Sequence, residues 1–377
     1  MFEPTDEYAG VVDRFMTVLR SRGYTETRPA PLTAGDSSVT FINATITPFK
    51  AAMAAGRSLG RTCQFQECLR AHGAHPWLYT FGMVGAAADG EHLPVVCRDA
   101  TAALLAALRP DRPARVAAVI DARDADLVDA MAPVADRTGL RTFVLARSRI
   151  GTRWSYGDEY RMSGRGLTFT YQHTRASCAA QCRPDCDCGR WQQLGNVIAV
   201  AAAGAAAAGG RGYVEVGVGV ETVIATSHDG DFYRIPQIRA ASDRIAGDGW
   251  PMVVAMEMVN LYRALGRLAA HGAVPAPRGP GSVVRRLATR LADLHAGNRG
   301  VADLGGYAAG LGAPQPLLEL LAGEEDRRAA GRRQRLAGAA RRLRRRTDTT
   351  DDELRGTYGL SDAEIHEVRA AGGIRGA

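Results

Sequence analysis

The chain has 377 residues, 46% hydrophobic and 23% charged, with a formal net charge of +7, which describes an ordinary soluble globular chain with room for one to three domains. Seven cysteines, an odd number with four of them bunched, argue against a secreted disulfide framework. The opening MFEPTDEYAG carries acid and no apolar run, and the longest apolar stretch, Val197 to Ala208, is Ala/Gly-rich and too short to cross a bilayer, so a cytoplasmic protein with no membrane partner is expected.

In chain order, residues 8–22 space apolar side chains at helical intervals and stop at Gly23. SVTFINATI (38–46) alternates like a strand, and PFKAAMAAG follows as a short helix. TCQFQECLR (62–70) and WLYTFGMVG (77–85) read as a strand pair across a short loop. Further strands are expected at 114–122, 142–147, 167–173 and 213–225, with a helix between the first two. No βαβ alternation argues for a parallel sheet. From about Ser242 the pattern becomes helical, placing a domain boundary near 235, with 1–235 and 236–377 as the two domains.

Within FINATITPFKAAMAAGRSLGRTCQFQECLR (41–70) lies Lys50, the only lysine among 47 basic residues. A lone lysine among arginines is either chance or a site that needs a compact ammonium. Its neighbours Phe41, Asn43, Ala44, Phe49, Arg61, Gln66, Cys68 and Arg70 stand in an order and spacing that resemble the opening of an alanyl-tRNA synthetase catalytic domain. The resemblance runs over nearly the whole chain. It implies an α+β fold: a class II aminoacyl-tRNA synthetase antiparallel sheet flanked by helices, followed by an all-helical domain.

The resemblance also implies roles. Arg70 would be the catalytic arginine that grips the ATP α-phosphate, and Phe81 and Gly219 would complete the nucleotide site. Met83, Trp154, Asn196, Ile198, Glu215 and Gly217 would hold the amino acid, Glu215 receiving its ammonium and Ile198 limiting its side chain. Gly157, Asp158, Gly189 and Arg190 follow the same pattern. HGAVPAPRGPGSVVRR (271–286) and TYGLSDAEIHEVRAAGGI (357–374) fall on tRNA-recognition helices.

The chain departs from the family where pyrophosphate and tRNA are handled. The motif 3 arginine falls on Thr222 and the motif 2 acid on Gly82. The loop 72–77 is short, Gln193 replaces an acid, and Pro277–Gly279 replaces an asparagine-bearing loop. Glu215 stands for an aspartate and Ile198 for a valine. Groups for an amino acid and an α-phosphate survive better than those for pyrophosphate. The expected function is activation or transfer of alanine, or a close analogue, to a small non-tRNA acceptor such as a nucleoside. ATP with Mg, or an adenylate-like nucleoside, would be substrate. The alternatives are a minimal alanyl-tRNA synthetase without editing, and a non-catalytic binder of amino acid, adenylate or tRNA.

Cys178, Cys182, Cys186 and Cys188 lie within eleven residues, preceded by His173. They read as a structural zinc site, against the alternative of four ordinary loop thiols. Cys63, Cys68 and Cys97 read as core. Ten arginines between Arg327 and Arg346 either attract a tRNA backbone or form a solvated helix face.

Overall fold

The computed structural model describes residues 5–36, 38–71, 77–108, 113–146, 148, 150–157, 159–174, 178–179, 182–202, 212–299, 303–346 and 348–371. Packing divides the chain into two compact units, Met1–Leu287 and Ala288–Ala377. The composition change near 235 is where strands give way to helices.

In the first unit, α1 (Asp6–Ser21) starts at Thr5, whose side chain accepts the Tyr8 amide proton. It buries Val11, Phe15, Met16 and Leu19, one stripe of the helix. The chain continues through β1 (Thr25–Glu26), α2 (Lys50–Ala54), β2 (Arg61–Leu69), β3 (Thr80–Asp89), α3 (Leu93–Ala107), β4 (Val116–Asp121), α4 (Ala125–Thr138) and β5 (Arg141–Leu145). Then come β6 (Arg153–Ser155), β7 (Met162–Gln172), β8 (Trp191–Ala202), β9 (Tyr213–Gly219), α5 (Val220–Ala225), α6 (Pro236–Gly247) and α7 (Met252–Ala270).

The sheet order is β1-β2-β3-β9-β8-β7-β4-β5, with β6 on β7. Its central pairings are antiparallel, while β1 with β2 and β4 with β5 run parallel. The fold is thus α+β, an antiparallel-dominated sheet with flanking helices and a helical C-terminal region. Helices α1, α3 and α4 pack in succession, with α1 and α3 also meeting the sheet. A separate cluster of Ile46, Met53, Ala87, Tyr156, Met162, Ile198, Val200 and Tyr213 joins the sheet to the segments around 46–53 and 154–162.

Three local expectations are corrected. Residues 38–46 form turns, not a strand, because Asp36 accepts the amides of Ser38 and Val39 and Thr45 donates to the Val216 carbonyl. β4, α4 and β5 do form a βαβ unit, since α4 returns the chain so that Ala117 pairs with Arg141 in parallel. The strand expected over 213–225 ends at Gly219, and its last six residues are α5, buried on both sides. A segment buried on more than one face, here Val220, Glu221, Val223, Ile224 and Ala225, carries no clean periodicity to tell helix from strand.

Helix α8 (Pro280–Arg299) contains the division between units. The second unit holds α9 (Leu304–Gly310), α10 (Gln315–Arg345), α11 (Asp351–Tyr358) and α12 (Asp362–Ala371). Its core joins Ala339 and Leu343 to Leu354, Leu360, Ile365 and Val368. Much of the arginine charge is neutralised within this unit. Arg327 pairs with Glu324, Arg328 with Asp293, Arg332 with Glu364 and Glu367, Arg335 with Glu364, Arg342 with Glu353 and Arg346 with Asp348. Arg333, Arg341, Arg344 and Arg345 are exposed. Among the described residues no helix is long and apolar enough to cross a membrane.

Candidate active site

Register alone gathers most of the site. Ile198 lies opposite Glu215 and Asn196 opposite Gly217 across β8 and β9, while Met83 pairs with Gly219 across β3 and β9. Side chains alternate along a strand, so Asn196, Ile198, Glu215, Gly217 and Met83 share one face. They line a cavity of about 470 Å³ with Ser38, Asn43, Thr45, Lys50, Arg70, Trp154, Tyr156 and Gly157. That volume suits a small organic ligand. Phe81 and Gly219 are not among its lining residues. Asp158 lies outside the described residues.

Glu215 is only 6% exposed. Its Oε1 accepts the Tyr156 hydroxyl at 2.9 Å, and its Oε2 has no hydrogen-bond partner among the described residues. Burial raises its carboxyl to about 7, against the opposing pull of the Tyr156 hydrogen bond and the Lys50 charge. A carboxylate with one oxygen held and the other free is prepared for a cationic guest.

Lys50 is 3% exposed. Its Nζ donates to Ser38 Oγ at 2.7 Å and lies 3.5 Å from Asp36 Oδ2. Burial would raise Asp36, but the Ser38 hydroxyl and amide, Lys50 and the Val39 amide outweigh it and hold the carboxyl below its ordinary value. The solitary lysine is therefore a buried, paired ammonium at the cavity wall. Gly157 has φ of +90°, and a Cβ there would lie 2.6 Å from Ser38 Cβ, so only glycine lets the 154–157 segment close on this cluster.

Arg70 is exposed, donating from Nε and Nη2 to the Asn43 carbonyl at 3.3 and 3.1 Å. Its guanidinium stacks over the Phe81 ring at 5.0 Å. Asn196 Nδ2 donates to Thr168 Oγ1 at 2.7 Å, fixing its amide. A Cβ on Gly217 would meet Met83 Cε at 2.8 Å and Thr45 Oγ1 at 3.0 Å, so the glycine keeps the cavity floor open. Thr222 offers no cation; its carbonyl accepts from Gln192 Nε2 at 3.2 Å. Asp36, Ser38 and Tyr156 were not singled out by sequence reasoning. Tyr156 lies inside the Trp154–Gly157 segment, yet only the fold shows that its hydroxyl reaches Glu215.

The four clustered cysteines place their sulfurs within 4.8 Å of one another, and they could hold a metal ion. Cys178 Sγ is 3.2 Å from Cys186 Sγ, and Cys182 Sγ is 3.6 Å from Cys188 Sγ. Tetrahedral zinc with sulfur bonds near 2.3 Å needs sulfurs about 3.8 Å apart, so small adjustments complete such a site. His173 stands outside the group, its Nε2 2.9 Å from Gln192 Oε1. Cys63, Cys68 and Cys97 are buried.

No protein-family model matches the chain, and no curated protein does. Among solved structures it is similar to apo histidyl-tRNA synthetase of S. aureus, at 12% identity over 61% of this chain and 68% of that one, with a TM-score of 0.41. It is also similar to a histidine–tRNA ligase subunit of Alicyclobacillus acidocaldarius, at 14% identity over 60% and 96%, with a TM-score of 0.35. Pyrrolysyl-tRNA synthetase of Desulfitobacterium hafniense gives 10% identity over 61% and 73%, with a TM-score of 0.30. At such identities the chemistry of the site rests on its own residues.

Proposed function

We propose that the protein is an aminoacyl ligase or transferase, resembling the catalytic and tRNA-recognition regions of an alanyl-tRNA synthetase, that moves alanine or a close analogue onto a small acceptor such as a nucleoside. The observation that carries this reading is one cavity lined by both the buried Glu215 carboxylate, with its free Oε2, and the Arg70 guanidinium. The first receives an α-ammonium. The second suits a phosphate or isosteric anion in the same cavity. Between them Asn196 and Ile198 would position and limit the amino acid. Attack on the acyl carbon then needs chiefly positioning and charge stabilisation on the phosphate side.

Thr222 leaves the pyrophosphate side without the family's cation. This supports a route that starts from an already activated alanyl ester, or one using an adenylate-like nucleoside, over one driven by ATP and Mg. Arg333, Arg341, Arg344 and Arg345, exposed on α10, support a second reading in which the helical region holds tRNA by its backbone. Four thiols in tetrahedral reach support a structural zinc on Cys178, Cys182, Cys186 and Cys188, which would brace the turn leading into β8 and Asn196.

Alanine-dependent pyrophosphate exchange with ATP, run beside transfer from alanyl-tRNA to a sulfamoyl nucleoside without ATP, separates the routes. Binding of alanine and alanyl-sulfamoyl adenosine without activity in either assay would make the protein a binder. No binding of either would end the proposal.

A further inference from the structure

The Tyr156 side chain touches the site in two ways that the resemblance does not assign. Its hydroxyl occupies Glu215 Oε1 at 2.9 Å, and its ring lines the cavity beside Ile198, the cross-strand neighbour of Glu215. The ring is held firmly. It is 8% exposed, its amide donates to the Met162 carbonyl at 3.1 Å, and it packs with Ile46, Met53 and Ile198. Room for it is made at Gly164, where a Cβ would lie 2.5 Å from Ile198 Cγ2 and 3.1 Å from the Tyr156 ring and hydroxyl.

We infer that Tyr156 is a further specificity-determining residue of this cavity: beside Ile198, it closes the end next to Glu215 against amino-acid side chains longer than a methyl or hydroxymethyl, and leaves only Oε2 to receive the ligand's primary ammonium. The inference rests on the proposed amino-acid site. Burial, and then the charge of Glu215, push the phenol well above its ordinary range, so the hydroxyl stays a donor. It thereby keeps Glu215 oriented and stabilises its ionised form. Among the described residues, the charged or titratable groups that act on Glu215 are Tyr156 and Lys50. Lys50 is itself tied to Ser38 and Asp36, which leaves the phenol as the direct partner.

The test uses the full chain, with alanine, serine, 2-aminobutyrate, valine and leucine as probes in calorimetry between pH 6 and 8.5. Wild type and Glu215→Gln come first: alanine binding by wild type and its loss in Glu215→Gln sustain the site itself, and wild type binding no amino acid overturns both the site and this inference. Given that site, Tyr156→Phe keeps the ring and loses the hydroxyl. Its midpoint for alanine binding should rise by about one pH unit, with affinity about tenfold weaker at pH 6 and within about twofold by pH 8.5. Tyr156→Met opens the end wall, and its preference should turn toward 2-aminobutyrate and valine by about tenfold or more relative to alanine. Unchanged selectivity in Tyr156→Met, together with an unmoved pH profile in Tyr156→Phe, would reduce Tyr156 to a packing residue while leaving the amino-acid site standing. Melting curves guard against unfolding, and Tyr156→Phe, which preserves the packing, serves if Tyr156→Met fails to fold.

Discussion

The hydroxyl of Tyr8 sits where the side chain of residue 82 would begin: a Cβ added to Gly82 would overlap Tyr8 Oη and lie 2.8 Å from Phe65 Cε2. The same point is bordered by Glu221, whose Oε2 accepts the Gly82 amide at 2.9 Å and whose Oε1 meets Arg263 at 3.1 Å. The space beside residue 82 is thus filled from elsewhere by a phenol and by a carboxylate from α5.

Gly82→Ala is therefore expected to destabilise the fold by about 1–3 kcal/mol through overpacking. The cost should be smaller in a Tyr8→Phe background, because the clashing oxygen is gone, and the coupling is read from a double-mutant cycle of urea unfolding curves. Additive effects would mean that Tyr8 does not occupy this space in solution.

Glu215 links function to stability through pH. Its folded carboxyl sits near 7 against an ordinary value of 4.5. Between these values the folded chain keeps a proton that the unfolded chain has lost, so stability falls as pH rises through this window. Above pH 7 the deficit is about 3 kcal/mol. Glu215→Gln should raise the melting temperature more at pH 8 than at pH 5 and abolish alanine binding. An equal shift at both values would show that the carboxyl is not perturbed.

Arg70 is exposed, and among the described residues its guanidinium is bonded to a backbone carbonyl and stacked on a ring face. Its removal should barely alter stability. Arg70→Ala should lower turnover in whichever transfer assay is productive by about 10²–10³-fold, the usual effect of losing one preorganised charge stabiliser. Undiminished turnover would place the chemistry in another part of the molecule.

Metal analysis of protein purified without chelator should find one zinc per chain, lost in Cys182→Ser. Thiol titration supplies an independent reading. Burial raises Cys63 to about 11 and Cys97 to about 12, and pushes Cys68 up as well. These three should stay silent until unfolding, while the four clustered thiols react after chelation and are protected before it. Four thiols reactive without chelator, and no metal, would leave the cluster as ordinary loop cysteines.

Much of this protein can be read from its chain alone. The stripe Val11, Phe15, Met16 and Leu19 marks α1, because a half-buried helix writes its period into adjacent residues, and 62–70 reads as the strand it forms, β2. The order from Asn43 through Arg70, Trp154, Asn196 and Glu215 also pointed to residues that do line one cavity, since strand register turns a linear order into a shared face. Other features had no local signature. Residues 38–46 alternate like a strand yet turn, because Asp36 and the distant Val216 carbonyl take their hydrogen bonds. Val220–Ala225 is buried on more than one side, Glu221 included, so only its neighbours decide between helix and strand. The pairing of Ala117 with Arg141 makes a parallel edge that depends on where α4 packs. Tyr156 and Glu215 are 59 residues apart, and their hydrogen bond exists because β9 and the 154–157 segment are brought to one cavity. Local periodicity reports how much of a segment is buried; which groups meet in that burial is decided by partners far along the chain.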